Sequence, residues 1–417
     1  MNILLLTQVV PFPPDSGPKV KTYHVLRHMA ARHRVTLVTF TRNAQEEAHA
    51  AALRTICAEV YTVPLKRSRV IDVAAAARSM FSGKPFIIER DGSAAMHTLL
   101  GHLVVTAAAT GQPFDLVHAD QLNMAQFAES LPLPRLLDQH NAVWMIFERL
   151  AQSSSGIKRW FWQREAALLK RYEGRVCSEF EAVTVVSDED RRGLLQVMPQ
   201  ERDLPVIPIA VDCEAEQAIP RAPGARAILS LATMMWPPNV DAVSWFARQI
   251  YPLVRRAVPD THFYVCGPRP TAEIRALPEL DPTIEVTGYV DDPKPYIANS
   301  ACLIVPLRSG GGMRVKILEA LARGIPVVST TIGYEGIDLV PGKHLLVADT
   351  PSEFADAVAL LLREPELGAK IAAAGRKRVL EKYDWRAIIP AMEAVYARIT
   401  TRNRRTNPAG QPAIIRG

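Results

Sequence analysis

The chain has 417 residues, more than one compact core holds, and its 48% hydrophobic and 22% charged residues are those of an ordinary globular protein. A net charge of +6 is mild at this length; it suits phosphates or anionic lipid and does not demand nucleic acid, so none is expected as a partner. The five cysteines, Cys57, Cys177, Cys213, Cys266 and Cys302, have neither metal-ligand nor redox-pair spacing and read as reduced core residues of a cytoplasmic protein.

In chain order, the apolar run Ile3–Thr7 reads as a buried strand. The segment from Met1 lacks the basic region and cleavage site of a signal peptide, and no stretch approaches the ~18 apolar residues of a membrane span. Pro11–Lys19 is a Pro-rich turn, after which a helix is expected near Val20 with Lys19 and Lys21 at its start. Further apolar runs, Val35–Phe40, Val60–Val63, Leu116–His118, Leu136–Asp138 and Ala182–Ser187, alternate with helical segments such as Lys19–Arg32 and Gln45–Ile56. That alternation predicts a parallel sheet covered by helices on both faces.

Two of these strand ends carry polar groups, His118-Ala-Asp120 and Asp138-Gln-His140-Asn141, at the sheet edge where ligands bind in such folds. His140 can hydrogen-bond a substrate hydroxyl, or it can cap its own strand-helix turn. Ile157–Arg164 mixes aromatics with cations and fits either a membrane-surface contact or the core of a helix running on through Tyr172. Asp188-Glu189-Asp190 reads as a helix-capping run, not a metal-binding pair.

Prolines 205, 208, 220 and 223 mark a connection, and a second series of apolar runs follows. These runs are Ala227–Leu231, His262–Cys266, Ile284–Val286, Cys302–Val305, Pro326–Ser329 and Leu345–Val347. The expected organisation is therefore α/β, with two doubly wound Rossmann-like domains, residues 1–208 and 209–384, facing each other across a cleft. A helix at 385–400 and a disordered basic tail at 401–417 complete the chain.

The densest chemistry lies at Ser309–Ala322, reading SGGGMRVKILEALA. Gly310, Gly311 and Gly312 let backbone amides approach a ligand closely, and a helix is expected from about Met313. Its N-terminus, with Arg314 and Lys316 in the first turn, offers positive charge to a phosphate. Lys316 and Glu319 share a helix face, so the cation can hold a diphosphate while the carboxylate accepts from ribose hydroxyls. A flexible loop before a solvated helix start is the alternative. The spacing fits neither a P-loop nor a dinucleotide fingerprint.

An ordered series runs through Gly288-Tyr289-Val290-Asp291-Asp292, Tyr296–Ala301, Val305-Pro306, the three glycines, Lys316–Ala322, Gly324–Thr330 and Glu335-Gly336. It resembles the donor-binding half of GT-B glycosyltransferases of the family 4 (glycosyl transferases group 1) type, and Met235–Ala242 resembles a branch that makes bacterial surface polysaccharide. The resemblance implies transfer from a nucleotide-sugar donor to a sugar or lipid-linked sugar acceptor, with retained configuration. It implies no metal and no cofactor, and a cytoplasmic protein that can sit at the inner membrane face. It implies that Lys316 contacts the diphosphate, Glu319 the ribose, and Tyr289 and Val290 the nucleobase. Gly17 then stands in the small-residue turn between donor and acceptor, and His140 faces the transferred sugar. Two positions depart from the family pattern. Gly311 occupies the place of a glutamate eight residues before Glu319, and Met234–Asn239 replaces an Arg-x-x-x-x-Lys pair, leaving Arg314 as the substitute cation. A nucleotide-sugar epimerase and a non-catalytic nucleotide-binding relic are the competing readings.

Overall fold

The computed structural model describes residues 1–15 and 17–406, without the side chains of 402–406. Its contacts divide the chain into one unit of Met1–Ala210 with the residues from Ile388 onward, and a second of Val211–Ala387.

The first unit holds β1 (Asn2–Thr7), β2 (Arg34–Thr41), β3 (Glu59–Pro64), β4 (Leu116–Asp120), β5 (Arg135–Gln139) and β6 (Ala182–Val185). They form one parallel sheet in the order β3-β2-β1-β4-β5-β6. The second unit holds β7 (Ala227–Leu231), β8 (His262–Cys266), β9 (Ile284–Gly288), β10 (Ser300–Val305), β11 (Val327–Ser329) and β12 (Leu346–Val347). Its parallel sheet reads β9-β8-β7-β10-β11-β12, the same order repeated. Both are doubly wound Rossmann-like sheets whose winding reverses beside the first strand, between β1 and β4 and between β7 and β10.

The central strands are buried along their length because helices cover both faces. Every residue of β4 and of β10 is buried. Register then levels the strand ends: Thr7 pairs with Asp120, Asp120 with Asp138, and Asp138 with Thr184. A polar row thus crosses four strands at the carboxyl edge of an apolar sheet.

Several boundaries differ from expectation. The first helix is Gly17–Ala30, so Gly17 begins the helix and does not lie in the turn before it. Ser187 is no longer strand; its hydroxyl accepts from the Asp190 amide at 3.1 Å and caps the helix Asp188–Val197. The last helix spans Pro390–Thr406, so residues 401–406 are helical where a disordered tail was expected, and residues 407–417 lie outside the described residues. That helix packs on the first unit through buried Tyr396, and through Glu393, which meets His28 at 3.2 Å and His33 at 3.1 Å. Among the described residues no helix is long and apolar enough to cross a membrane.

Candidate functional site

In the second unit the loop after β10 carries the glycines. Gly310 and Gly312 take φ of 121° and 77°, backbone that favours glycine. A Cβ on Gly310 would also press to 3.2 Å on the Arg314 guanidinium. The helix here is Val315–Ala322, with Arg314 at its N-cap position, not in the first turn. Arg314 is buried and turns back on its own loop, donating to the carbonyls of Gly311, at 2.5 Å, and Gly312. It braces the loop.

Lys316 sits in the first turn and donates from Nζ to Asn239 Oδ1 at 3.0 Å. Asn239 in turn donates to the Thr233 carbonyl at 3.0 Å, so its carbonyl oxygen is presented to the lysine. Burial, with the charge of Arg314 beside it, pushes the Lys316 ammonium down to about 8, against the pull of Glu319. Glu319 is pushed up by burial and by Glu216, and held down by Arg323 and Lys316. A cation whose pKa is depressed in this way gains from the arrival of an anion. The helix N-terminus, the Gly-rich loop and Lys316 lie together, and groups of this kind can hold a phosphate. Tyr289, at 70% exposure, and half-buried Val290 follow β9 in the same unit.

In the first unit the polar row at the strand ends becomes a charged cluster. Lys21, fully buried, places Nζ 2.6 Å from Asp138 Oδ1, which also accepts from Thr184 Oγ1 at 2.7 Å. His140 Nε2 lies 3.1 Å from Asp120 Oδ1 and 3.6 Å from Asp138 Oδ2. Neither ring nitrogen has an aligned hydrogen-bond partner. Burial works against the imidazolium, but Asp120 and Asp138 prevail and raise His140 from 6.5 to about 9. Asp138 moves the other way; burial opposes its charge, yet Lys21, His140 and His118 hold it well below the carboxylate range. His118 is lowered by burial, with Asp138 and Asp120 opposing, and its Nδ1 lies 2.5 Å from Tyr396 Oη. Thr22 donates to Asp120 at 2.9 Å. Next to Asp120, Gln121 holds φ 71° and ψ 158°, a region nearly closed to side chains, and such strain gathers at functional sites.

His140 is not the cap of its turn. The helix Val143–Gln152 is capped by Glu173, whose carboxylate accepts from the amides of Val143 at 2.9 Å and Trp144 at 2.7 Å. His118, Asp120 and Asp138 offer three ligand atoms within 4.8 Å of one another. Lys21 and His140 already set positive charge against both carboxylates, so a metal ion there would have to displace them.

Sequence reading placed Lys21 at a helix start and missed that it enters the core. The available signal was its phase: Lys21, Val25 and His28 lie on one buried helix face. Asn239 was likewise passed over. The aromatic segment divides, with Ile157 and Trp160 82% and 53% exposed and Phe161 and Trp162 half-buried against Phe86 and Phe147.

Residues 225–364 match the family model described as Glycosyl transferases group 1. An uncharacterized 44.6 kDa protein in the cps region of Klebsiella pneumoniae is 26% identical over 138 residues, 31% of this chain and 35% of that one. A phosphatidyl-myo-inositol mannosyltransferase of Mycobacterium leprae is 30% identical over 122 residues, 28% and 32% of the two chains. The match thus spans about a third of the length of each curated relative. Among solved structures, Anabaena HepE in complex with UDP and glucose aligns over 95% of this chain and 100% of its own, with TM-score 0.64 and 14% identity. That likeness gives the fold, which is GT-B.

Proposed function

Taking as premise that residues 225–364 form a glycosyl transferases group 1 domain, we propose that the protein moves a sugar from a nucleotide-sugar donor to a hydroxyl of a sugar or lipid-linked sugar. The reading includes retained anomeric configuration, no metal or cofactor, and a role in bacterial polysaccharide or glycoconjugate synthesis. It also includes a cytoplasmic location at the inner membrane face, where a lipid-linked acceptor would be met. The observation that carries it is Lys316, a depressed-pKa cation steered by Asn239 in the first turn after three glycines. HepE crystallised with UDP and glucose, the mannosyltransferase by its name, and the cps-region protein by its locus all support the donor class and setting.

In this reading Lys316 and the loop amides hold the donor diphosphate. As the bond to the sugar breaks, negative charge grows on the departing diphosphate and Lys316 stabilises it, an electrostatic effect that needs no metal. Arg314 keeps the loop in its anion-binding shape. Glu319 accepts from the ribose hydroxyls, and Tyr289 and Val290 border the base. In the first unit His140, cationic at neutral pH, donates to a sugar hydroxyl, with Asp120, Asp138 and Lys21 fixing its charge and orientation. Gly311, where related enzymes carry a glutamate, favours a second reading in which the chain binds nucleotide sugars without turnover.

A thermal-shift panel of nucleotide sugars tests the donor assignment. A ligand at about 100 times its dissociation constant adds about 2.7 kcal/mol, a clear rise in melting temperature. Stabilisation by one nucleotide sugar with release of its nucleoside diphosphate supports the transferase. Stabilisation without release across acceptors supports the second reading, and no stabilisation by any member contradicts both.

A further inference from the structure

A second polar cluster stands at the carboxyl edge of the first sheet. Gln8 directly follows β1, Arg67 lies in the segment after β3, and Asn123 lies just beyond β4. All three converge on Asp91, the last residue of the helix Phe86–Asp91, which is fully buried. Asp91 Oδ2 accepts from Gln8 Nε2 and from Asn123 Nδ2, both at 2.5 Å. Asp91 Oδ1 meets Arg67 Nη2 at 2.5 Å and Arg90 Nε at 3.3 Å. Gln121, with its strained backbone, stands in the chain between this cluster and the His140 group, and its Nε2 donates to Asp120 at 3.4 Å.

Burial of one carboxylate accounts for only part of this arrangement. A buried carboxylate needs an opposite charge and partners for its remaining lone pairs. Arg67 supplies the charge, and Gln8 and Asn123 fill Oδ2, so Arg90 is surplus. A guanidinium that serves an ion pair alone commonly grips both carboxylate oxygens in a fork. Here the two amides occupy Oδ2, and each guanidinium spends a single nitrogen on Oδ1. Arg67 Nη1 has no hydrogen-bond partner. The Arg67 and Arg90 side chains keep 27% and 28% exposure, so the pair stands within reach of a ligand. Arg90 lies over the Phe86 ring at 5.4 Å, which fixes its plane. Glu89 of the same helix does not offset the pair, because Arg78 meets it at 3.6 Å. Lys66, next in the chain to Arg67, is exposed and adds positive charge.

We infer that Arg67 and Arg90 bind an anionic group, a carboxylate or a phosphate, on the saccharide that accepts the transferred sugar, and so select an acidic acceptor. The inference rests on the transferase reading only in calling that saccharide the acceptor. The anion site itself stands on the cluster. Asp91, with Gln8 and Asn123 behind it, holds the two guanidiniums side by side, and their unspent N–H groups meet the anion as charge-assisted donors.

The test is a ligand-observed NMR titration of the full chain with glucuronate, glucose 1-phosphate and glucose. At least one acidic sugar should bind about ten-fold more tightly than glucose, since a hydrogen bond to a charged group is worth that factor or more. A lead for glucuronate identifies the group as a carboxylate, and a lead for glucose 1-phosphate as a phosphate. Arg67→Gln and Arg90→Gln should each weaken that binding about ten-fold or more. Arg78→Gln, which removes a nearby cation outside the cluster, should leave it unchanged, and so should Lys316→Ala at the Gly-rich loop. Arg90→Gln keeps the test readable if Arg67→Gln does not fold, because Arg67 still neutralises Asp91. The inference is overturned if glucose binds as well as both acidic sugars, or if the folded arginine variants bind as wild type does. It is equally overturned if Lys316→Ala removes the binding and Arg67→Gln keeps it. No donor is present in these titrations, so their outcome is separate from that of the nucleotide-sugar panel.

Discussion

Lys316→Ala removes the one side-chain cation that the Gly-rich loop holds through a neutral partner, Asn239. A hydrogen bond to a charged group contributes about 1.5–3 kcal/mol, and tenfold in affinity corresponds to about 1.4 kcal/mol. Nucleoside diphosphate should therefore bind about 10- to 100-fold more weakly, and turnover should fall by about 10²-fold or more, since the charge matters most as the diphosphate leaves. Stability should change by no more than about 1 kcal/mol, because burial already disfavours the cation, whose pKa lies near 8. The sign with pH follows. Lys316 is charged below about 8, so wild-type affinity for a nucleoside diphosphate should decline as pH rises through that value. The variant should show a flat profile over the same range. Calorimetric titration at several pH values above about 7, where the terminal phosphate is fully ionised, reads this directly. Equal affinities and superimposable pH profiles for a folded variant would refute the reasoning.

Other consequences are sharper in sign than in size. His140→Gln should leave nucleotide affinity within a few-fold while turnover drops much further, whereas loss of stability alone would remove His140 from the chemistry. The folded state raises His140 from 6.5 to about 9, so its ion pairs stabilise fully below 6.5, and the wild-type advantage in melting should vanish as pH rises through 9. Glu319→Gln should weaken nucleoside diphosphate binding and Glu335→Gln should not; matching losses would deny Glu319 a special place. Lys21→Met leaves Asp138 buried beside a weaker set of cations and should cost about 3–5 kcal/mol in chemical denaturation, far more than Lys19→Met at the half-exposed pair with Asp15. Activity should survive EDTA, and a loss that only Mg²⁺ or Mn²⁺ restores would point to the His118, Asp120 and Asp138 group as a metal site.

Much of this architecture is legible in one sequence because buried parallel strands are short apolar runs bounded by turns. Ala227–Leu231 and His262–Cys266 coincide with β7 and β8, and the repeated alternation yields two sheets of one winding. The Lys316 loop is legible for a related reason: glycines, a helix start and the charges that use them are neighbours in the chain. The first unit's cluster is not local. Lys21 and Asp138 stand 117 residues apart, and only the pairing of β1, β4, β5 and β6 brings the polar row level. Arg314 was expected in the first turn of that helix; it stands at the N-cap, where its length lets it reach back to the Gly311 carbonyl. Val70, Val73 and Phe81 of the helix Arg69–Ser82 carry the same periodicity as a core stripe yet are exposed, and periodicity alone does not say which way a helix faces.

The central claim is sugar transfer driven from the Lys316 loop, and a product assay tests it most directly. Wild type and Lys316→Ala are incubated with the nucleotide sugar that gives the largest thermal shift, labelled in the sugar, and with lipid-linked and free saccharide acceptors. The account predicts that label moves to an acceptor in step with released nucleoside diphosphate, and that Lys316→Ala slows both by about 10²-fold. Tight nucleotide-sugar binding with no label transferred to any acceptor, or transfer that Lys316→Ala leaves unchanged, would contradict it.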